Sequence, residues 1–549
     1  MKRVAFTEID LVELAIAVAL WTQRRRIEPW IRKAAPHPRL CAAALAIAVI
    51  LLRLALLPLH PVPTPAGADD FGYLLLGDTF AHGRLANATH PMHKFFETNY
   101  VLQEPHYSSI YPPGQGIVLA LGSLIFRQPW IGVLLSMALL SSIVYWMLRA
   151  WLPPGWALIG GIVCAIDFGP LNAWTNIYWG GAVSAVAGAL VFGALPRLAC
   201  GRDEFAVLLG FGTGLQMISR PYESLFLIAA AAVYAAVKLD RRRLLHAIAY
   251  AAAGILPCVV LLAAHNHAVT GRWTTLPYAL SRWEYGIPTT FTCQPLPEPH
   301  RTLTVEQESY FAGQSAAHGD GESVSRYAAR LASRAHYYLF FWPAPLLLAL
   351  PFFIMLLRRF RWAWMLGVIA LFALGCNFYP YFFPQYIAAL TGLFVLAAIG
   401  AVRRMAQWNR SAAAFVLLLC AAHFIFWYAV HAFGDLHTLE TLVPQESDAG
   451  INFDDPEGRV AVNAKLAAAP GRQLVLVRYF PNHGYHEWVH NGADIDSERV
   501  VWALERSPAE NAELQDYFKN RKVWLCEPDA VPPKLIPYPK TAGPFLTVE

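Results

Sequence analysis

The sequence predicts an all-α polytopic membrane domain followed by a small α/β unit outside the membrane. Three observations carry that expectation. Hydrophobic residues make up 56% of the 549 and charged residues 15%, against roughly 25% charged in an ordinary soluble domain. That is more apolar surface than a water-facing fold can bury. The apolar residues come in runs of up to about 20, the length that crosses a ~30 Å hydrocarbon layer as a helix. Beyond about residue 431 the runs stop, and short β-branched segments alternate with turn residues.

Residues 1–39 form the expected cytoplasmic segment. The stretch 9–21 is short and carries Glu13, so it reads as an interfacial helix, with an extra span as the alternative. The first clear span is 40–59. Arg24, Arg25, Arg26, Arg32, Lys33 and Arg39 precede it, which places that flank inside. No signal-peptide proportions or A-x-A cleavage pattern accompany it, so it is not read as a removed signal. Further spans are expected at 129–149, 155–172, 178–195, 205–219, 222–237, 246–265, 337–357, 362–376, 384–402 and 412–430, about eleven crossings in all. Alternation from an inside start makes the short inner loops almost purely basic, as at Lys238 to Arg243 and Arg358 to Arg361. Basic clusters between apolar runs are a topology signal, so no nucleic-acid partner is expected. The membrane domain then covers 40–431, with outer loops at 60–114 and 266–336.

The outer C-terminal domain is 432–549. Strands are expected at 473–479, 499–503 and 522–526. Between the last two, Ser507-Pro508-Ala509-Glu510 is a capping box that starts a helix. Of eight cysteines, only Cys293 and Cys526 fall in polar segments. A disulfide between them is compatible with an outer location, and two separate thiols are the simpler reading.

Candidate chemistry begins with Asp69 and Asp70 in the first outer loop. Adjacent carboxylates raise each other's pKa, and one is then suited to act as a general base. Two solvated loop acids are the bland alternative. The apolar 74–76 stretch that follows is expected to lie on the membrane surface. His90 and His93, three apart, are metal-site candidates against ordinary interfacial histidines. Glu104 and His106 are candidates for acid or ligand duty. Tyr111-Pro112-Pro113 breaks the backbone before an apolar run, as happens where backbone lines a cavity. Arg220 sits at the outer end of a hairpin, where a charge is costly unless paired; Glu223 or an anionic lipid phosphate are equal partners for it. Arg272 and Arg282 are further phosphate candidates against a surface-charge reading. Tyr379 to Tyr386, including Gln385, form an aromatic belt or a ligand wall. His486-Glu487-Trp488-Val489-His490 matches the zinc-peptidase pattern H-E-x-x-H, but Pro481, Gly484 and Asn491-Gly492 leave no room for the helix it needs.

Asp69-Asp70, Tyr111-Pro112-Pro113, Arg220-Pro221, Asn266–Gly271 and Pro384-Gln385-Tyr386 together resemble the GT-C superfamily of membrane glycosyltransferases, in particular its bacterial and protein O-mannosyltransferase-like members. The resemblance covers about 40–430. It implies a sugar donor on a polyprenyl phosphate, reached through membrane lipids, and an acceptor hydroxyl deprotonated by Asp70 or Asp69. Inversion at the anomeric carbon would follow, with Arg220 on the leaving phosphate and a divalent metal as candidate helper. Tyr111, Gln385, Tyr386, Arg272, Glu104 and His106 would line the substrate. Members of the family more often carry Asp-Glu than Asp-Asp. The expected location is a bacterial inner membrane, N-terminus inside and C-terminus outside. The competing readings are a transporter or flippase of a lipid-linked substrate, and a zinc peptidase on the C-terminal unit.

Overall fold

The computed structural model describes residues 8–443, 446, 451, 458–481, 483–484 and 486–539. The outermost residues of the expected first and last domains, 1–7 and 540–549, lie outside these. Among the described residues seven helices are long and apolar enough to cross a membrane: Pro38–Ala55, Pro129–Trp151, Ala182–Ala199, Pro221–Lys238, Arg241–Thr270, Pro384–Trp408 and Arg410–Phe433. Shorter apolar helices occupy Pro113–Phe126, Pro154–Asp167, Phe205–Met217 and Phe360–Cys376. The chain is a multi-pass membrane protein. Prolines stand in the first turn of many of these helices, where the missing N–H costs nothing.

The bundle has a centre and a rim. The most apolar windows of Ala182–Ala199 and Pro384–Trp408 are 83% and 94% buried within the protein, whereas that of Arg241–Thr270 is 11% buried and turns its side chains outward. The N-terminal helix is longer than expected, Glu8–Ala34. It packs along Arg410–Phe433, with Glu13 2.9 Å from His423.

One expected span departs from a helix. Residues 337–357 fold as 3-10 turns at Arg334–Phe341 and Ala344–Ala349 and a single α-turn at Pro351–Ile354. Pro343, Pro345 and Pro351 remove donors that a continuous helix would need. At the start of this run Arg334 donates to the carbonyls of Cys376 at 3.2 Å and Tyr379 at 2.6 Å.

The segment expected on the membrane surface is instead enclosed. Ala68–Ala81 is a helix buried on nearly every side, packed on Pro113–Phe126. Glycines permit that approach: a Cβ on Gly77 would stand 2.7 Å from the Leu119 Cβ, and one on Gly116 2.5 Å from Leu76 Cγ.

The C-terminal unit carries a four-stranded sheet. β1 (Arg472–Val477) lies between β2 (Val500–Leu504) and β3 (Arg521–Glu527), both parallel to it, and β4 (Lys534–Pro537) pairs antiparallel with β3. The helix Pro508–Tyr517 crosses between β2 and β3, opened by the expected capping box of Ser507 and Glu510. One sheet face joins the first outer loop in a single apolar cluster that includes Leu75, Phe95, Phe96, Leu474, Leu476 and Phe518. Cys293 is exposed, Cys526 is buried, and both are free thiols.

Candidate active site

A cavity of about 1130 Å³ opens where the outer loops, the C-terminal unit and several helix ends meet. Asp69 and Asp70 reach it from the first turn of Ala68–Ala81, Tyr111 and Pro112 from the start of Pro113–Phe126, and Arg220 from the N-terminal end of Pro221–Lys238. The close pairing of the last two segments depends on Gly114, whose amide donates to the Ile218 carbonyl at 2.7 Å. A side chain at that position would strike Ser219.

The two acids are held differently. Asp70 is 7% exposed. Its Oδ1 accepts the Tyr178 amide at 2.9 Å and its Oδ2 the Ala66 amide at 3.4 Å. Burial pushes its carboxyl up to about 6; the backbone donors oppose that rise and the Asp69 charge adds to it. Asp69 is more open to the cavity. Its Oδ1 accepts the Tyr111 hydroxyl. Burial raises its carboxyl too, against the opposing pull of Tyr111 and of the Arg220 charge. Asp70 thus has both oxygens committed to backbone, whereas only one oxygen of Asp69 is engaged by a side chain.

Arg220 meets one of the two partners anticipated for it, Glu223. Its guanidinium is 3.7 Å from Glu223, which is 1% exposed, and lies over the Tyr386 ring at 4.5 Å. It also faces the cavity, as does Arg282, which donates through Nε to the Pro288 carbonyl at 3.0 Å. Tyr379 donates to Glu223 at 3.3 Å, so the carboxylate has a second support. Gln385 is 3% exposed and lines the cavity, and its Nε2 has no hydrogen-bond partner among the described residues. A buried amide donor without a partner is costly, and it marks a place for a ligand acceptor.

Nine tyrosines line the walls. Tyr73 stacks on Tyr111 at 4.0 Å, and the Tyr100 hydroxyl lies 2.7 Å from that of Tyr310. Gln314 donates to Tyr100 at 3.1 Å. Tyr278 and Tyr310 belong to the second outer loop and were not marked out by the sequence. No local spacing identifies them, because a lone loop tyrosine looks the same whether it faces solvent or a site.

Five of the expected site residues lie elsewhere or serve packing. Glu104 is ion-paired with Arg301, which also holds Glu97 at 3.5 Å and Glu284 at 3.4 Å. His106 points its Nδ1 at the Val269 carbonyl, 3.2 Å away. Arg272 is exposed beside the helix-ending Gly271. His90 spends its ring on the C-terminal unit, with Nε2 3.1 Å from Asp496 and Nδ1 accepting the Met92 amide. His93 occupies the next turn, His93–Phe95. Among the described residues no three His, Cys, Asp or Glu side chains gather as a metal-holding group. At the cavity, Tyr111 engages the Asp69 carboxylate and two backbone amides engage that of Asp70. The H-E-x-x-H stretch is extended rather than helical, and the His490 ring stacks on Phe71 at 3.8 Å. That removes the geometry of a zinc peptidase.

No family model matches the chain, and no curated protein sequence does. Among solved structures it is similar to ArnT from Cupriavidus metallidurans in the apo state, with a TM-score of 0.45 and 14% identity over 88% of this chain and 92% of that one. ArnT bound to undecaprenyl phosphate gives 0.42 at 14% identity with the same coverage. The oligosaccharyltransferase of Archaeoglobus fulgidus gives 0.42 at 13% identity, over 88% of this chain and 69% of that one.

Proposed function

We propose that the protein is a glycosyltransferase that moves a sugar from a polyprenyl phosphate to an acceptor hydroxyl at the outer face of the membrane. The observation that carries this reading is the pairing, across one tyrosine-lined cavity, of a buried carboxylate pair with a guanidinium at the N-terminal end of the helix Pro221–Lys238. Asp69 is the general base: it takes the proton of the acceptor hydroxyl as that oxygen bonds to the anomeric carbon. The bond from that carbon to the phosphate oxygen breaks with inversion, and its electron pair leaves on the lipid phosphate. Arg220 and Arg282 face that growing negative charge from fixed positions, which stabilises the transition state more than the ground state. Asp70, committed to the amides of Ala66 and Tyr178, holds the loop. Tyrosine rings suit the C–H faces of a sugar, and Gln385 suits a hydroxyl or phosphate oxygen.

The sidedness follows the charge pattern. With the N-terminus inside and about eleven crossings, the segments lining the cavity would fall outside, among them 66–73, 177–179, 219–223, 379–386 and residues 483, 484 and 486. Residues 432–549 are then an outer domain, and a bacterial inner membrane is the compartment that fits. The test is a transfer assay with purified protein and polyprenyl-phosphate sugars. Asp69→Asn is expected to lower the rate by roughly 10²–10⁴-fold, the usual worth of a general base, with folding unchanged. Full transfer in Asp69→Asn would remove the base, and substrate passage without glycosyl transfer in the native protein would favour a flippase.

A further inference from the structure

The H-E-x-x-H stretch has no catalytic task in this reading, yet its contacts are specific. It runs as a strap beside the helix Ala68–Ala81. His486 forms an isolated antiparallel bridge with Gly67, and the Glu487 amide donates to the Ala66 carbonyl at 3.2 Å. His490 stacks on Phe71, and the Ala493 amide donates to Asp78 at 2.6 Å. The strap therefore touches this helix just before its first turn, within that turn and near its last turn.

Glu487 lies at the centre of these contacts and is 4% exposed. Its Oε2 accepts the Asn99 amide at 3.3 Å and the Asn99 side chain at 3.4 Å. Its Oε1 accepts the Tyr479 hydroxyl at 2.9 Å. That hydroxyl accepts in turn from the amides of Trp488 at 2.9 Å and Val489 at 3.2 Å. The Glu487 carbonyl accepts from Arg459, whose guanidinium lies 4.3 Å from the Trp488 ring centre and 4.9 Å from that of Phe71.

The geometry points to Glu487 as a positioning residue that, from the C-terminal unit, holds together the two segments carrying Asp69, Asp70 and Tyr100 to the cavity. Its backbone fixes Ala66, whose own amide binds Asp70. Its carboxylate fixes Asn99, next to Tyr100. Tyr100 has φ +64, a left-handed conformation that a bulky side chain adopts only where its neighbours hold it. A buried carboxylate with three donors on it is an anchor whose loss leaves those donors unpaired. The catalytic consequence of this latch rests on the transferase reading, whereas the latch itself does not.

Glu487→Ala and Glu487→Gln in the full-length protein test it by hydrogen–deuterium exchange in detergent, beside transfer kinetics and polyprenyl-phosphate binding. An amide at 487 satisfies either Tyr479 or Asn99 but not both, because its NH2 end faces a donor. The expected order of effect is therefore Glu487→Ala above Glu487→Gln above native. Exchange should quicken at least tenfold in peptides covering 64–72 and 97–101, with β1 to β3 unchanged. The transfer rate constant should fall at least tenfold, while polyprenyl phosphate binds within threefold of native. Exchange at 64–72 unchanged, or quickened uniformly through the C-terminal unit, would overturn the assignment, as would a rate within twofold of native. If the localised exchange change appears in a protein that transfers no sugar at all, the latch stands and the transferase reading falls.

Discussion

Asp70→Asn separates what the acidic pair costs from what it does. The Asp70 carboxyl rises from 3.8 to about 6 on folding, chiefly because burial disfavours its charge. A pKa raised in the folded state means that the folded protein keeps a proton the unfolded chain has already released. Stability therefore falls as pH rises from 3.8 towards 6, and the full cost stands above 6. A rise of that size is worth about 3 kcal/mol. Asn has no charge to bury, and its oxygen keeps the shorter of the two backbone bonds, that from Tyr178. The difference in unfolding free energy, Asp70→Asn minus native, should thus grow by about 2.4 kcal/mol between pH 4 and pH 7, in favour of the variant. Thermal and denaturant unfolding in detergent, followed by tryptophan fluorescence at several pH values, measures it. A constant offset between the two proteins across that range would refute the argument, and so would an offset that moves in favour of the native protein.

Arg220→Ala should destabilise the protein by roughly 3–5 kcal/mol, because it strands the buried charge of Glu223. Adding Glu223→Gln should recover most of that stability but not polyprenyl-phosphate binding, measured by direct titration of the lipid. Gly77→Ala is expected to cost about 1–3 kcal/mol in thermal unfolding, since its new Cβ meets Leu119 at 2.7 Å and the two helices must part.

Features that depend on local composition are legible in the sequence alone. Apolar runs of bilayer length, with arginine clusters at alternate ends, announce membrane helices whatever they pack against. Ser507 and Glu510 close their capping box through contacts three residues apart, and the three strands that β-branched residues marked out are β1, β2 and β3. Asp69, Asp70, Tyr111, Arg220, Gln385 and Tyr386 were legible as candidates because each is a polar or backbone-breaking residue beside an apolar run.

Tertiary structure decided the rest. Glu104, His106, Arg272, His90 and His93 have the same local character, yet the fold spends Glu104, His106 and His90 on Arg301, Val269 and Asp496 and leaves Arg272 at the surface. The run at 337–357 is broken into short turns, with prolines at 343, 345 and 351. Tyr278, Tyr310 and Glu487 gained their places from segments hundreds of residues away from Asp69. The physical reason is range: hydropathy and capping act within a few residues of chain, whereas a cavity wall is made by whichever distant surfaces the packing brings together.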